Sequence, residues 1–117
     1  MVKLIGLLKK KAGLTRAELI DYYENQHVPF IASLVPMGQD YRRSYTEKMR
    51  GNGEETQDAF EYDVVTELWF ERQEDYAAFA AAMRDPEIFG QIVVDEENFL
   101  DRSASRILVV TEYGSRG

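Results

Sequence analysis

His27 is the chain's only histidine. A free imidazole has a pKa of about 6.5, so this side chain can exchange protons near neutral pH without a large pKa shift. It follows Leu19, Ile20 and Tyr23 at helical spacing, which places it on the inward, apolar side of a helix. Beside a ligand-sized cavity, such a histidine can move a proton during enolisation, elimination or isomerisation. The alternative is a structural histidine that hydrogen-bonds a backbone carbonyl near the helix end.

The helix that carries His27 has well-marked ends. Thr15 and Glu18 form a capping box at its start, because each side chain can satisfy a free backbone donor of the other. Pro29 disfavours helical geometry at the residue before it, although its fixed φ suits the first position of a new turn. The histidine is therefore predicted near the last turn, facing inward.

Two tyrosines are candidates to work beside this histidine. Residues 40–49 alternate as a strand does, which puts Tyr41 and Tyr45 on one face. One hydroxyl could donate a hydrogen bond to a substrate carbonyl or a developing enolate. The alternative is that both tyrosines are packing residues whose hydroxyls reach an edge.

A third strand, residues 62–70, has one face that mixes carboxylates with a tryptophan, a combination typical of a lined pocket. The residues of that face include Asp63, Glu67 and Trp69. In the alternative reading the two acids simply pair across the sheet or a dimer. We expect Trp69 to form an apolar wall with Phe30.

Further candidates lie outside these strands. Phe99 and Asp101 are expected at the cavity rim, with simple packing and solvation as the alternative. Residues 51–61 form a polar, glycine-containing stretch that is predicted to be an exposed loop.

The order of predicted elements is strand, helix, strand, strand, helix, strand. The strands are predicted at 2–8, 40–49, 62–70 and 105–113 and the main helices at 15–29 and 73–84, with shorter helical pieces at 30–36, from 86 to about 93 and from 95. This order predicts one α+β domain over residues 1–117 with a ferredoxin-like βαββαβ fold, a four-stranded antiparallel sheet and helices on one face. The other face would expose Trp69, Tyr41 and Tyr45, so we expect a homodimer whose sheets face one another.

Composition excludes several classes of function. The chain has 117 residues, a net charge of −7 and no cysteine, which argues against binding to nucleic acid or anionic lipid and rules out disulfides and thiolate chemistry. No segment is apolar enough to span a membrane, and the N-terminus lacks the pattern of a secretory signal, so a cytoplasmic location is expected. A single histidine disfavours a transition-metal site, while an oxygen-only cation site stays open.

The sequence resembles the EthD family of the dimeric α/β-barrel superfamily over nearly its whole length. The segments that carry the resemblance are LLKKKAGLTRAELIDYYENQHVP, YRRSY, VVTELWFE and DEENFLDRS. The resemblance implies a ferredoxin-like subunit that pairs sheet to sheet into a barrel with a buried cavity. It also implies site residues at His27, Tyr41, Trp69, Phe99 and Asp101.

Members and relatives of this superfamily include aromatic polyketide cyclases, muconolactone isomerases, polyketide dehydratases or decarboxylases, and cofactor-free monooxygenases, so the resemblance implies several reaction types. Our first expectation is a cofactor-independent enzyme of secondary or catabolic metabolism that acts by proton transfer on a hydrophobic oxygenated ring compound, such as an aromatic or a lactone. The second is cofactor-free oxidation of an activated phenol by dioxygen. The third is a non-catalytic dimer that binds a hydrophobic metabolite or accompanies an oxygenase.

Overall fold

The computed structural model describes residues 1–47 and 62–115. The expected loop at 51–61 and the end of the predicted second strand lie outside these residues. The elements are β1 (Val2–Lys10), α1 (Arg16–Tyr22), a π-helical turn (Tyr23–His27), α2 (Val28–Leu34), β2 (Asp40–Tyr45), β3 (Val64–Phe70), α3 (Gln73–Arg84), α4 (Pro86–Glu96) and β4 (Leu100–Val110).

The strands of the described residues form one four-stranded antiparallel sheet in the spatial order β2-β3-β1-β4. The helices pack against one face, which we call the inner face; the opposite face is the outer face. The order confirms the predicted ferredoxin-like α+β fold. In β1 and β3 alternate residues are buried on the inner face, because successive side chains of a strand point to opposite faces.

The helix that carries His27 begins as the sequence predicts. Thr15 accepts a hydrogen bond from the N–H of Glu18 at 3.1 Å, and the Glu18 carboxylate accepts one from the N–H of Thr15 at 2.9 Å. The backbone N–H groups of Thr15 and Glu18 are thus satisfied by each other's side chains.

Pro29 lies in the first turn of α2, as its fixed φ allows, but Val28 before it is helical, so the expected departure from helical geometry at that residue was wrong. The segment stays helical from Arg16 to Leu34, and Val28 has φ −58° and ψ −50°. The π-helical turn lies directly before the proline, and the N–H of Val28 donates to the carbonyl of Tyr23. A π-helical turn is a recognised local widening of a helix, often at functional sites. Here it leaves the Tyr23 and His27 rings perpendicular, with centroids 5.2 Å apart.

The core lies between the inner face and the helices. Its fully buried side chains are Tyr23, Phe70, Phe99, Leu19, Ile92 and Val64. Two of them, Tyr23 in the π-helical turn and Phe99 just before β4, pack their rings against the imidazole of His27. No helix within residues 1–47 and 62–115 is long and apolar enough to cross a bilayer.

The fourth strand starts five residues earlier than predicted. The segment from Asp95 ends α4 and then enters β4 at Leu100. Pairing of β4 with β1 shifts register between Leu7 and Lys9. Ser105 bridges this irregularity, because its hydroxyl accepts from the N–H of Lys9 at 3.0 Å and donates to the carbonyl of Asp101 at 2.8 Å. The Ser105 side chain thus takes the place of a backbone hydrogen bond between the two strands. The apolar pattern of the sequence does not reveal such a substitution, so the early start of β4 was missed.

The two strand tyrosines lie on the inner face, so the expectation that they line an exposed face was wrong. Tyr41 is paired with Leu68 and Tyr45 with Val64, and both partners are buried. Trp69 does lie on the outer face. Alternation assigns residues to a common face, but it does not say which face the helices cover.

Gly38 is required by the turn before β2, and we expect Gly38→Ala to lower the free energy of unfolding by at least about 2 kcal/mol. Its φ is +83°, and an added Cβ would lie 2.5 Å from the carbonyl oxygen of Trp69, which accepts from the N–H of Gln39. The matched control is Gly13→Ala, since Gly13 has φ +89° with no atom within 4 Å of an added Cβ. Urea denaturation should show the larger loss for Gly38→Ala, and equal losses would contradict the clash.

Candidate functional site

A cavity of about 340 Å³ lies between the inner face and the helices. Most of its wall is apolar and includes Leu4, Ile31, Leu68, Phe79, Met83 and Ile92. The polar side chains of the wall include His27, Tyr23, Tyr41, Thr66 and Glu96. The volume is at the lower end of the range of about 300–1,000 Å³ typical of small-molecule pockets. The cavity therefore suits a small apolar ligand with a few polar atoms.

His27 is held in the cavity wall by a partly buried carboxylate. The imidazole is 6% exposed, and its Nδ1 lies 2.5 Å from Oδ2 of Asp95, at the end of α4. The ring of Phe99 packs against it at a centroid distance of 4.9 Å. A neutral imidazole that donates from Nδ1 to a carboxylate keeps its lone pair on Nε2. No hydrogen bond joins Nε2 to any described residue, so this nitrogen is available to a ligand.

Asp95 is itself fixed by two further side chains. Its Oδ1 accepts a hydrogen bond from the Tyr22 hydroxyl at 2.7 Å, and that hydroxyl accepts from Nδ2 of Asn98 at 3.0 Å. Burial, assisted by the hydrogen bond to Asp95, raises the pKa of Tyr22. Both carboxylate oxygens of Asp95 are thus engaged, which fixes the plane of the imidazole.

Three hydroxyls form a chain beside the imidazole. The Tyr23 hydroxyl lies 2.6 Å from Oγ1 of Thr66 and 2.8 Å from the hydroxyl of Tyr41. Burial raises the pKa of Tyr23 to about 12 and raises the pKa of Tyr41 well above its usual value, so both stay protonated at neutral pH. If Thr66 donates to Tyr23 and Tyr23 to Tyr41, the Tyr41 proton is free to donate to a ligand oxygen, and each bond in the chain strengthens the next.

Tyr41 is held from the side by an ion pair. Arg43 donates to both carboxylate oxygens of Glu24, at 2.9 and 2.6 Å, and its guanidinium lies 4.8 Å from the centre of the Tyr41 ring. Tyr45 donates to the same carboxylate at 2.6 Å, and burial raises its pKa. Tyr45 is not part of the cavity wall. It supports the ion pair that positions Tyr41.

The face of β3 that suggested a pocket lies on the other side of the sheet. Asp63 accepts from the N–H of Lys10 at 2.8 Å, and Glu67 lies 3.3 Å from the ammonium of Lys3. The same ammonium is 4.4 Å from the centre of the Trp69 ring. The structure therefore does not bring Asp63, Glu67 or Trp69 to the cavity that His27 lines. Instead it shows contacts between neighbouring strands.

The remaining predicted residues also lie away from the cavity wall. Phe30 is half-buried on α2 and is not part of that wall, so it forms no wall with Trp69. Phe99 is fully buried behind the imidazole rather than at a rim, and stacks on Tyr22 at 5.1 Å. Asp101 is exposed in a separate surface depression, where a hydrogen bond from Ser103 lowers its pKa.

Four residues of the cavity region carry polar groups that the sequence analysis gave no role. Tyr23 was predicted on the inward side of its helix, so its burial was visible in the sequence, but its contact with Thr66 of β3 was not. Asp95 and Glu96 stand in a run of adjacent acidic residues, which singles out neither of them, because adjacent residues on a helix do not face one site. In the structure Asp95 meets His27, and Glu96 lines the cavity.

No group of three or more histidine, aspartate or glutamate side chains within residues 1–47 and 62–115 is arranged to hold a metal ion. The cavity's polar groups are one imidazole, one carboxylate and a few hydroxyls. These groups can donate and accept protons and hydrogen bonds.

Comparisons with known proteins agree with this fold. An EthD family protein of Bacillus halodurans superposes with a TM-score of 0.64 at 19% identity, covering 97% of this chain and 99% of that one. An EthD-like protein of Ralstonia eutropha gives 0.59 at 17% identity, with 93% and 86% covered. A dimeric ferredoxin-like protein of unknown function from Thermobifida fusca gives 0.54 at 11% identity, with 95% and 90% covered.

A search of curated proteins finds no match. The model of the EthD domain, in contrast, matches residues 11–103, which span the capped helix, β2, β3, α3, α4 and the start of β4. The chain therefore belongs to the EthD domain family.

Proposed function

We propose that this protein is a small enzyme that transfers a proton to or from a hydrophobic, oxygenated ring compound without a cofactor. The observation that carries the proposal is the imidazole of His27, hydrogen-bonded to the partly buried Asp95 and set in the wall of a mainly apolar cavity. A histidine oriented by a carboxylate is a common arrangement for general acid–base catalysis.

In the proposed mechanism, Nε2 of His27 removes a proton from the carbon next to a substrate carbonyl. Asp95 stabilises the imidazolium that forms, while the Tyr41 hydroxyl donates to the developing enolate oxygen. The proton can then return from His27 to another carbon, which is isomerisation. Alternatively, the enolate can expel a hydroxyl group that takes this proton and leaves as water, which is dehydration, or attack a second carbonyl whose oxygen takes the proton, which is cyclisation. All of these outcomes share the first step.

The cavity supports a small, mainly apolar substrate. Side chains such as Leu4, Phe79 and Met83 offer no hydrogen bonds to a ligand body, whereas His27 and Tyr41 offer them at one region of the wall. An aromatic ketone, phenol or lactone fits this division between an apolar body and a polar reacting end. Exclusion of water from such a site strengthens the hydrogen bond from Tyr41 to a developing charge.

Deuterium exchange tests the proton-transfer step whatever the net reaction is. The protein is incubated in D2O with a panel of aryl ketones, phenols and lactones, and the hydrogens next to the carbonyl are followed by NMR together with ligand binding. We expect catalysed exchange for at least one compound that binds. Binding without exchange would favour the non-catalytic carrier, and consumption of dioxygen would favour the oxidative alternative.

We also propose that two copies associate through the outer face. Its side chains include Ile5, Leu7, Val65, Trp69 and Leu108, of which Leu108 is 44% exposed. The indole N–H of Trp69 lies on this face and has no hydrogen-bond partner among the described residues. The Thermobifida fusca protein of the same fold is described as dimeric. These apolar side chains share the outer face with the ion pair of Lys3 and Glu67, and together they favour a two-fold interface.

Leu108→Asp should convert a dimer into a monomer in sedimentation velocity, because a carboxylate would be buried against the partner's apolar face. Val94→Asp is the matched control, since Val94 is 66% exposed but lies on α4, away from the outer face. A monomeric wild-type protein, or dissociation by both variants alike, would contradict the proposed interface.

A further inference from the structure

Gly6 lies in the middle of β1 on the inner face, between the buried leucines Leu4 and Leu8. A glycine inside a strand is unfavourable, because it loses more conformational freedom on folding than other residues and has no side chain to pack. The backbone does not require one here. Among the described residues only Gly13 and Gly38 have a positive φ, so the conformation at position 6 is open to any residue.

The space above Gly6 can hold a small side chain. An added Cβ would lie 3.3 Å from Cδ1 of Ile107, 3.4 Å from Cδ2 of Leu8 and 3.6 Å from Cβ of Thr66. The two closer contacts are with the ends of flexible side chains, which can move by a few tenths of an ångström. The packing of the strands therefore does not require a glycine at this position either.

The space that Gly6 leaves open belongs to the cavity. Gly6 lines it, and so do Leu8, Thr66 and Ile107, the three residues that an added Cβ would meet. A side chain at position 6 would thus point into a cavity of about 340 Å³ and reduce its volume. In its absence the bare backbone of β1 forms part of the cavity floor.

This part of the floor connects the hydroxyl chain with an open side of the cavity. Gly6 is paired with Thr66, whose hydroxyl lies 2.6 Å from that of Tyr23, and on its other side with Ile107. Ile107 lines the cavity although it is 66% exposed, so the cavity opens to solvent there. Neighbouring strands are about 4.8 Å apart, which puts Thr66 roughly 10 Å from Ile107. A ligand whose oxygen meets Tyr41 would extend its rings across Gly6 towards this opening.

We propose that Gly6 determines which ring compounds the cavity accepts, because a flat system of two fused rings can lie directly on its backbone. The proposal deepens the proposed function by naming the substrate class, and it rests on that function only in using the same cavity. Gly6 is a specificity-determining residue in this view. It contacts the ring body and takes no part in proton transfer, which belongs to His27 and Asp95.

Two ketones that carry the same acetyl group test the proposal, acetophenone with one ring and 2-acetonaphthone with two. Wild-type protein should bind the naphthyl ketone about tenfold more tightly in calorimetric titration, since the second ring buries more apolar area. Gly6→Ala should weaken binding of the naphthyl ketone about tenfold, because the new methyl group occupies the place of the second ring. Binding of acetophenone should weaken less than about threefold.

Urea denaturation without ligand checks the fold of this variant. Alanine restricts the unfolded chain more than glycine does, so the urea midpoint of Gly6→Ala should equal or exceed that of the wild type. Gly90→Ala is the matched control, since Gly90 is exposed on α4, does not line the cavity and has no atom within 4 Å of an added Cβ. It should leave both affinities unchanged.

A lower urea midpoint for Gly6→Ala would assign the glycine to strand packing and overturn the proposal. Equal affinities of the wild type for the two ketones, or equal losses of both in Gly6→Ala, would also contradict it. Failure of both ketones to bind would overturn it together with the ligand-binding part of the proposed function. Size-selective binding without deuterium exchange would support the role of Gly6 while the proposed enzymatic function fails.

Discussion

Replacement of His27 by alanine should lower turnover by about 10²- to 10⁴-fold and change ligand affinity only slightly. The imidazole supplies the proton-accepting Nε2, while most of the cavity wall that holds a ligand body comes from apolar side chains of the sheet and helices. The measurement is the rate of deuterium exchange or product formation under saturation, with the dissociation constant determined on the same protein. Unchanged turnover would refute the catalytic role.

Added imidazole provides the matched control for this variant. Because His27 is buried in the wall, His27→Ala leaves a space that opens on the cavity where the ring was. Free imidazole should restore part of the lost turnover in His27→Ala and have no effect on the wild type. Loss of activity without rescue, accompanied by a lower free energy of unfolding and weaker ligand binding, would indicate a structural role instead.

The sequence predicted the surroundings of His27 on one side only. The capping box at Thr15 fixed the start of the helix, and helical spacing placed Tyr23 and His27 on its inward side, because both features depend on residues close together in the chain. Asp95 is 68 positions away from His27. Its contact depends on where α4 ends and how that helix crosses the first one, and a local pattern contains neither.

The strands show the same limit in another form. Alternation correctly grouped Tyr41 with Tyr45 and Asp63 with Trp69, because successive side chains of a strand point to opposite faces. The covered face is chosen by packing of the whole sheet against the helices, so the two tyrosines were assigned to the wrong side. Because the helices cover the face that carries the tyrosines, Tyr41 lines the cavity, whereas Trp69 lies on the opposite face.

Asp95→Asn should lower turnover by about 10²- to 10⁴-fold, although it only replaces one carboxylate oxygen by an amide NH2 group and removes the negative charge. Asn98 donates to the Tyr22 hydroxyl, so that hydroxyl donates onward to residue 95. An asparagine there would present its carbonyl oxygen to Tyr22 and its amide N–H to Nδ1 of His27. The neutral imidazole would then carry its proton on Nε2 and could no longer act as a base.

Tyr22→Phe in the Asp95→Asn background separates the tautomer from the charge. Without the Tyr22 hydroxyl the new amide can rotate and accept from Nδ1–H, which returns the lone pair to Nε2. We therefore expect the double variant to exceed Asp95→Asn in turnover, while Tyr22→Phe alone falls below the wild type.

Two-dimensional ¹⁵N NMR of the single histidine reports its tautomer directly. A protonated Nδ1 in Asp95→Asn, or equal turnover of the single and double variants, would contradict this account. The residual loss in the double variant measures what the negative charge of Asp95 adds by stabilising the imidazolium.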